Sequence, residues 1–219
     1  IGLISITDHD SLQAQKEAHQ RARRHGIRYL TGVELNVTLI HDHWTRGKPA
    51  SLDFLGYGFD VENRPLNKKL NELRGYRKRR AQMILDNLNE EFCREGSQLF
   101  TERDMEAIEA SVDGSFGRPH IARYLISRGI VASKQEAFDR YLVKCDAPKL
   151  PLTLEEASSL VRGAGGRIVI AHPNDPKGTS LAVLVPDLAE QARMISEIMR
   201  PLIDGIECWH TRHDAKASS

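Results

Sequence analysis

The chain is expected to fold as an α/β protein interrupted by an α-helical insertion. Three observations predict this. The apolar, β-branched run "LISIT" is followed by a helical pattern and then by "IRYLTGVELNVTLI". A strand–helix–strand unit of this kind implies parallel strands. From Pro65 to about Tyr141 only helical patterns occur, and after that the alternation of helix and strand resumes. The expected division is therefore a first α/β part over 1–61, a helical insertion over 62–149 and a second α/β part over 150–219.

"LISIT" reads as a short buried strand ending in a polar cluster. "SLQAQKEAHQRARRHG" reads as a helix capped by Asp10 or Ser11, with basic residues at its C-terminal end and Gly26 as its stop. Ala14, Ala18 and Ala22 give it a narrow face suited to close packing. "SLDFLGYGFD" is a further strand. In the insertion, Leu66, Leu70 and Leu73, then Met83, Ile84 and Leu88, mark a long amphipathic helix. Thr101 caps a second helix, "RPHIARYLISRG" has Pro119 near its start and Gly129 at its stop, and Ser133 with Glu136 forms a capping box. Beyond it, Thr153 and Glu156 form another box. "RIVIAHP" is a strand, a helix spans about Pro186 to Met199, and "DGIECWHTRH" is the last strand.

Composition narrows the function classes. With 31 Lys+Arg against 30 Asp+Glu in 219 residues, overall charge favours neither nucleic acid nor a membrane surface. Cys93, Cys145 and Cys208 are far apart with no C-x-x-C, which suits a reducing cytoplasm and speaks against a disulfide scaffold or zinc ribbon. No apolar run approaches the ~20 residues of a membrane helix.

In parallel α/β folds, ligands sit beyond the C-terminal strand ends. Here those ends carry Asp8, His9 and Asp10, then Glu34 and Asp53, then His172, then His210 and His213. Imidazole and carboxylate are the ligand set of Zn²⁺, Mn²⁺ or Fe²⁺. Their convergence predicts a centre of more than one ion, suited to hydrolysis. Each residue also has a plainer reading: Asp10 as a helix cap, Glu34 as a surface acid, a lone histidine as a solvated strand end.

"ITDHD", "GVE", "LGYGFD", "RPHIARYL" and "IAHP" occur in this order over about Ile4 to His213. Together they resemble the polymerase-and-histidinol-phosphatase (PHP) family of metal-dependent phosphoesterases. The resemblance implies a distorted seven-stranded (β/α)7 barrel with two or three divalent ions, Mn, Fe or Zn. The helical insertion is similar to that of the branch acting on nucleoside 3′,5′-bisphosphates and the 5′ end of short RNA. It implies His9, Glu34, Asp53 and His172 as metal ligands and Asp8 as a tuning partner. Arg118 and His120 are implied to meet the substrate phosphate and serve catalysis, with His213 as a further substrate contact. The partner is then a phosphorylated small molecule or short nucleic acid, met in the cytoplasm. Oligomeric state is not legible. A histidinol-phosphate phosphatase-like enzyme and a non-catalytic PHP module are the alternatives.

The chain departs from that pattern. An H-x-H strand expected before "ITDHD" and a "GSD-x-H" strand expected near the end are not in it, so it is expected to be an incomplete barrel carrying part of the ligand set. Asp53 stands where relatives commonly place histidine; its carboxylate is a harder ligand, and the swap is expected to shift metal preference or remove one ion. "HDHW" (His41 to Trp44) reads as an exposed loop, in which His43 could stand in for that histidine. "RGYRKRR" reads as a solvated basic face or a polyanion-steering one, and Tyr57 and Trp209 as core residues, with base stacking the alternative.

Overall fold

The structure, a computed structural model, describes residues 1–112 and 116–211. It divides into two compact units. One combines residues 1–70 with the described residues from Pro151 onward; the other is Asn71–Leu150.

In the first unit, β1 (Leu3–Ile4) pairs in parallel with β2 (Arg28–Tyr29) across helix α1 (Gln15–Arg24). The second sheet has the order β3 (Gly32–Leu39), β4 (Ala50–Tyr57), β5 (Arg167–Ile170) and β6 (Gly205–Ile206). Its first two pairings are antiparallel and its last is parallel. The class is thus α/β, but the all-parallel expectation is corrected. The reason is the connection: residues 40–49 join β3 to β4 without a helix, too short a path for a parallel crossover.

Core formation follows alternation along β3. Val33, Leu35 and Val37 are almost fully buried, while Glu34 and Asn36 turn to the opposite face. Helix α6 (Leu154–Gly163) lays Leu154, Ala157 and Val161 against β3 and β5. Gly56 permits this approach, because a Cβ there would lie 3.1 Å from both Val161 and Val33. Further helices are α7 (Leu181–Leu184) and α8 (Leu188–Met194), the latter ending in a π turn over Ile195–Met199.

Several local expectations change. Only two residues of "LISIT" form β1, and Leu3 and Ile4 are exposed, because β2 is their only strand neighbour among the described residues. Helix α1 begins at Gln15 with Ala14 as its cap residue, not at Asp10 or Ser11, since Asp10 takes a left-handed backbone (φ 50°). "IRYLTGVELNVTLI" divides into β2 and β3. The last strand shrinks to two residues. Trp44 is buried rather than exposed, under the guanidinium of Arg193, whereas Trp209 is exposed.

Helix α2 (Arg64–Glu95) starts in the first unit and runs on into the second. There it packs with α3 (Glu102–Ala110), α4 (Arg118–Ser127) and α5 (Lys134–Ala137), which continues into a π turn over Phe138–Leu142. Ile84, Leu88, Phe92, Ile108, Ile121 and Leu125 form the core. The Thr101, Ser133 and Thr153 caps form as read, the latter two accepting from Glu136 and Glu156 N–H.

Asp104 braces this unit. Burial opposes its charge, but hydrogen bonds from Thr101 N–H, the Tyr124 hydroxyl and the Thr101 hydroxyl, with the Arg128 charge, hold its pKa at about 2. The folded value lies below the ordinary 3.8, so this stabilisation is full above about pH 4 and is lost as pH falls toward 2. Asp104→Asn is expected to cost about 1–2 kcal/mol at pH 7. Urea melts of both proteins from pH 7 to 2 check it; a gap that persists at pH 2 contradicts it.

Candidate metal centre

Four side chains from four stretches of chain meet on the polar face of the β3–β4 hairpin. Residues 8–10 run beside the free edge of β3. The Glu34 N–H donates to the Asp8 carbonyl (3.1 Å) and the Asp10 N–H to the Glu34 carbonyl (2.9 Å), making a parallel bridge between His9 and Glu34. On the other edge, Asn36 lies opposite Asp53 on β4. His172 follows β5, in a loop whose backbone is left-handed (φ 28°), a costly conformation for a residue with a side chain. It is held by its own N–H donating to Glu207 Oε2 (2.6 Å) and by its carbonyl accepting from Asp175 N–H (3.0 Å).

Donor atoms of His9, Glu34 and Asp53 all lie within 4.8 Å of one another. His9 Nε2 is 3.6 Å from Glu34 Oε2. His172 Nε2 is 3.0 Å from Glu34 Oε1 and 3.8 Å from Asp53 Oδ2. Glu34 thus stands between two imidazoles, one on each carboxylate oxygen. The Glu34 hydrogen bond raises the pKa of His172, against burial, which lowers it.

Asp53 is fixed at both oxygens. Asn36 Nδ2 donates to Oδ1 at 2.6 Å, and the Thr179 hydroxyl donates to Oδ2. The backbones of Asp53 and Thr179 are also bonded, at 3.2 Å. These donors set the rotamer of the carboxylate. Around the cluster, Tyr57 has a raised pKa from burial and from the charges of Glu207 and Glu34. The His210 ring centroid lies 5.4 Å from that of His172.

The donor set fits a divalent cation. Only 15% and 7% of the Glu34 and Asp53 side chains are exposed, and their ion-pair partners among the described residues are imidazoles, weak compensation for two buried carboxylates. The buried Nδ1 of His172 has no hydrogen-bond partner among the described residues. Two imidazoles and two carboxylates match Zn²⁺, Mn²⁺ or Fe²⁺.

The candidate ligands do not all sit at strand ends. Glu34 and Asp53 lie inside β3 and β4, because an antiparallel hairpin presents side chains along its length. Asp8 is half-buried beside the centre and contributes its carbonyl to Glu34. His43 sits on the 40–49 loop and accepts from Arg193 at 3.0 Å. Arg118 and His120 belong to the helical unit. Arg118 bonds Asp146 (2.8 Å) and the Leu142 carbonyl (3.2 Å) and lies over the Phe138 ring. His120 Nδ1 accepts from Gly117 N–H at 3.1 Å, closing a helix cap. His213 lies outside the described residues. Asn36, Thr179 and Glu207 were not foreseen. Two-residue alternation from Glu34 was a usable signal for Asn36, but nothing local marks the other two.

No family model matches the chain. It does align with named bacterial proteins. A 5′-3′ exoribonuclease of Haemophilus influenzae is 28% identical over 180 residues, covering 79% of this chain and 58% of that protein. A 3′,5′-nucleoside bisphosphate phosphatase of Chromobacterium violaceum is 31% identical over 181 residues, covering 78% of this chain and 56% of that protein. The chain therefore spans a little over half the length of these relatives. An amidohydrolase of Chromobacterium violaceum, solved with bound sulfate and no metal, superposes with a TM-score of 0.76 at 26% identity, over 99% of this chain and 70% of that one. The chain is a homologue of exoribonucleases and bisphosphate phosphatases, in agreement with the PHP-type resemblance of its motifs.

Proposed function

We propose that the chain carries the metal-binding part of a hydrolase that cleaves a phosphate ester on a nucleotide or short oligonucleotide. The observation that carries this reading is the meeting of His9, Glu34, Asp53 and His172 around Glu34. The names of the relatives point to the same substrates. Two or three Mn, Fe or Zn ions are the proposed cofactors, in a distorted (β/α)7 barrel interrupted by a helical insertion over 62–149. Such ions supply Lewis acidity toward phosphoryl oxygens and make water a stronger nucleophile near neutral pH.

The chain's own residues have separate tasks. Asn36 and Thr179 hold Asp53 in one orientation. Glu207 holds the strained backbone that aims His172, and Asp8 supports Glu34 through its carbonyl. Arg118 binds a substrate phosphate. Its contacts with Asp146 and Leu142 both use Nη1, so that among the described residues Nη2 and Nε are left for phosphate oxygens. His120 and His213 assist as a proton donor to the leaving oxygen and as a phosphate contact. The setting proposed is the cytoplasm; no helix among the described residues is long and apolar enough to cross a membrane.

The test uses the protein loaded with Mn²⁺, Fe²⁺ or Zn²⁺. Phosphate release from a nucleoside 3′,5′-bisphosphate, and mononucleotide release from short 5′-phosphorylated RNA, are expected and should stop on chelation. Faster turnover of histidinol phosphate, or absence of both bound metal and turnover, overturns the reading.

A further inference from the structure

The basic run "RGYRKRR" is sorted by the fold into two kinds of side chain. Arg80 is buried and structural: it pairs with Asp146 and its Nε donates to the Ala147 carbonyl at 2.6 Å. Arg74 and Lys78, one turn apart on α2, instead line an open cleft of about 440 Å³ with Asn71, Gly75, Glu109 and Phe116. All of these belong to the helical unit.

We infer that this cleft binds the phosphodiester backbone of a single-stranded nucleic acid. Asn71, Arg74 and Lys78 fall on one helix face at i, i+3 and i+7. Asn71 Oδ1 accepts from Arg74 Nη2 at 2.9 Å, which orients the guanidinium. Gly75 forms a bare floor between the two cations: a Cβ there would meet only Arg79 Nη1, at 3.9 Å. A phosphate can therefore approach the helix backbone. Lys78 is paired with Glu109 at 2.8 Å, but 67% of its side chain is exposed. Such pairs contribute little, so Lys78 can exchange the carboxylate for a phosphate at small cost. Phe116, half-buried and with its ring centroid 5.9 Å from that of His120, lines the same wall as an aromatic surface beside the cations, and base–aromatic stacking is tolerant of sequence. One acid against two cations, with an aromatic ring, favours a polyanion carrying flat groups over an acidic peptide.

The choice of ligand rests on the nucleotide reading above; every residue of the cleft belongs to the helical unit. The test measures binding of a fluorescein-labelled, phosphorothioate-linked oligouridine, which resists hydrolysis, by anisotropy at several salt concentrations. The full protein is compared with Arg74→Ala/Lys78→Ala and with a control, Arg23→Ala/Arg24→Ala on α1. The cleft variant is expected to bind roughly tenfold more weakly, and its log K against log salt slope should fall by about 0.7 for each lost contact. Its turnover of a nucleoside bisphosphate should match wild type. Unchanged affinity and slope, or an equal loss in the control, overturns the inference. Absence of bisphosphate turnover in the wild type would instead strike the proposed hydrolase and leave the cleft standing.

Discussion

Glu34→Ala in the full-length protein is expected to lose bound metal and more than about 100-fold in kcat/KM. Losses of 10- to 100-fold are usual for residues that merely support a ligand, and Glu34 is central to the cluster itself. Its two oxygens reach His9 and His172 separately, at 3.6 and 3.0 Å. Val33 and Leu35 beside it on β3 point into the core, and Asn36 on its own face is uncharged and engaged with Asp53. Glu34→Gln serves as the paired variant. It keeps the volume and a hydrogen bond to His172 but removes the charge, so it should hold the fold and still lose metal. Elemental analysis and phosphate release, with circular dichroism as a check on folding, give the answer. Wild-type metal content and turnover in both variants would remove Glu34 from the centre.

Phe92→Ala should destabilise the helical unit by about 3–5 kcal/mol, the range for deleting a buried aromatic ring. Phe92 is 1% exposed and makes edge-to-face contacts with Phe100 at 5.2 Å and Tyr141 at 5.3 Å. Those neighbours come from different segments, so the void cannot close by moving one of them alone. Urea melts read the loss directly, with the exposed Glu106→Ala as a control expected to stay within about 0.5 kcal/mol. A loss below about 1 kcal/mol would mean the site collapses more easily than its packing indicates.

The helices were the more legible part of the fold. Thr101, Ser133 and Thr153 each announced a start through local chemistry, and Gly26 and Gly129 announced stops by taking φ values of 66° and 67°. Strand direction was harder. The sequence "IHDHWTRGKP" between two apolar runs had no helical pattern, which already argued for an antiparallel hairpin, but the preceding strand–helix–strand unit suggested parallel pairing throughout. His9, Glu34, Asp53 and His172 were readable as a set because metal chemistry needs few residue types. Their supports were not: Thr179 meets Asp53 only through the path of the loop after His172, and Glu207 meets His172 only through β5–β6 pairing. Arg118 shows the opposite limit, since its partner Asp146 lies on a distant segment that no motif connects to it.

The hairpin that carries Glu34 and Asp53 separates two kinds of sequence change. Insertions or deletions in residues 40–49 lie outside the β3–β4 register, so that segment can vary in length where the buried Trp44 and Thr45 are kept, while the centre keeps its spacing. One residue inserted within β3 upstream of Glu34 would turn the carboxylate into the apolar core and a valine or leucine toward the histidines. Loop grafting at 40–49 that retains Trp44 and Thr45 is therefore an engineering handle for reshaping what surrounds the cluster, whereas β3 cannot change its length.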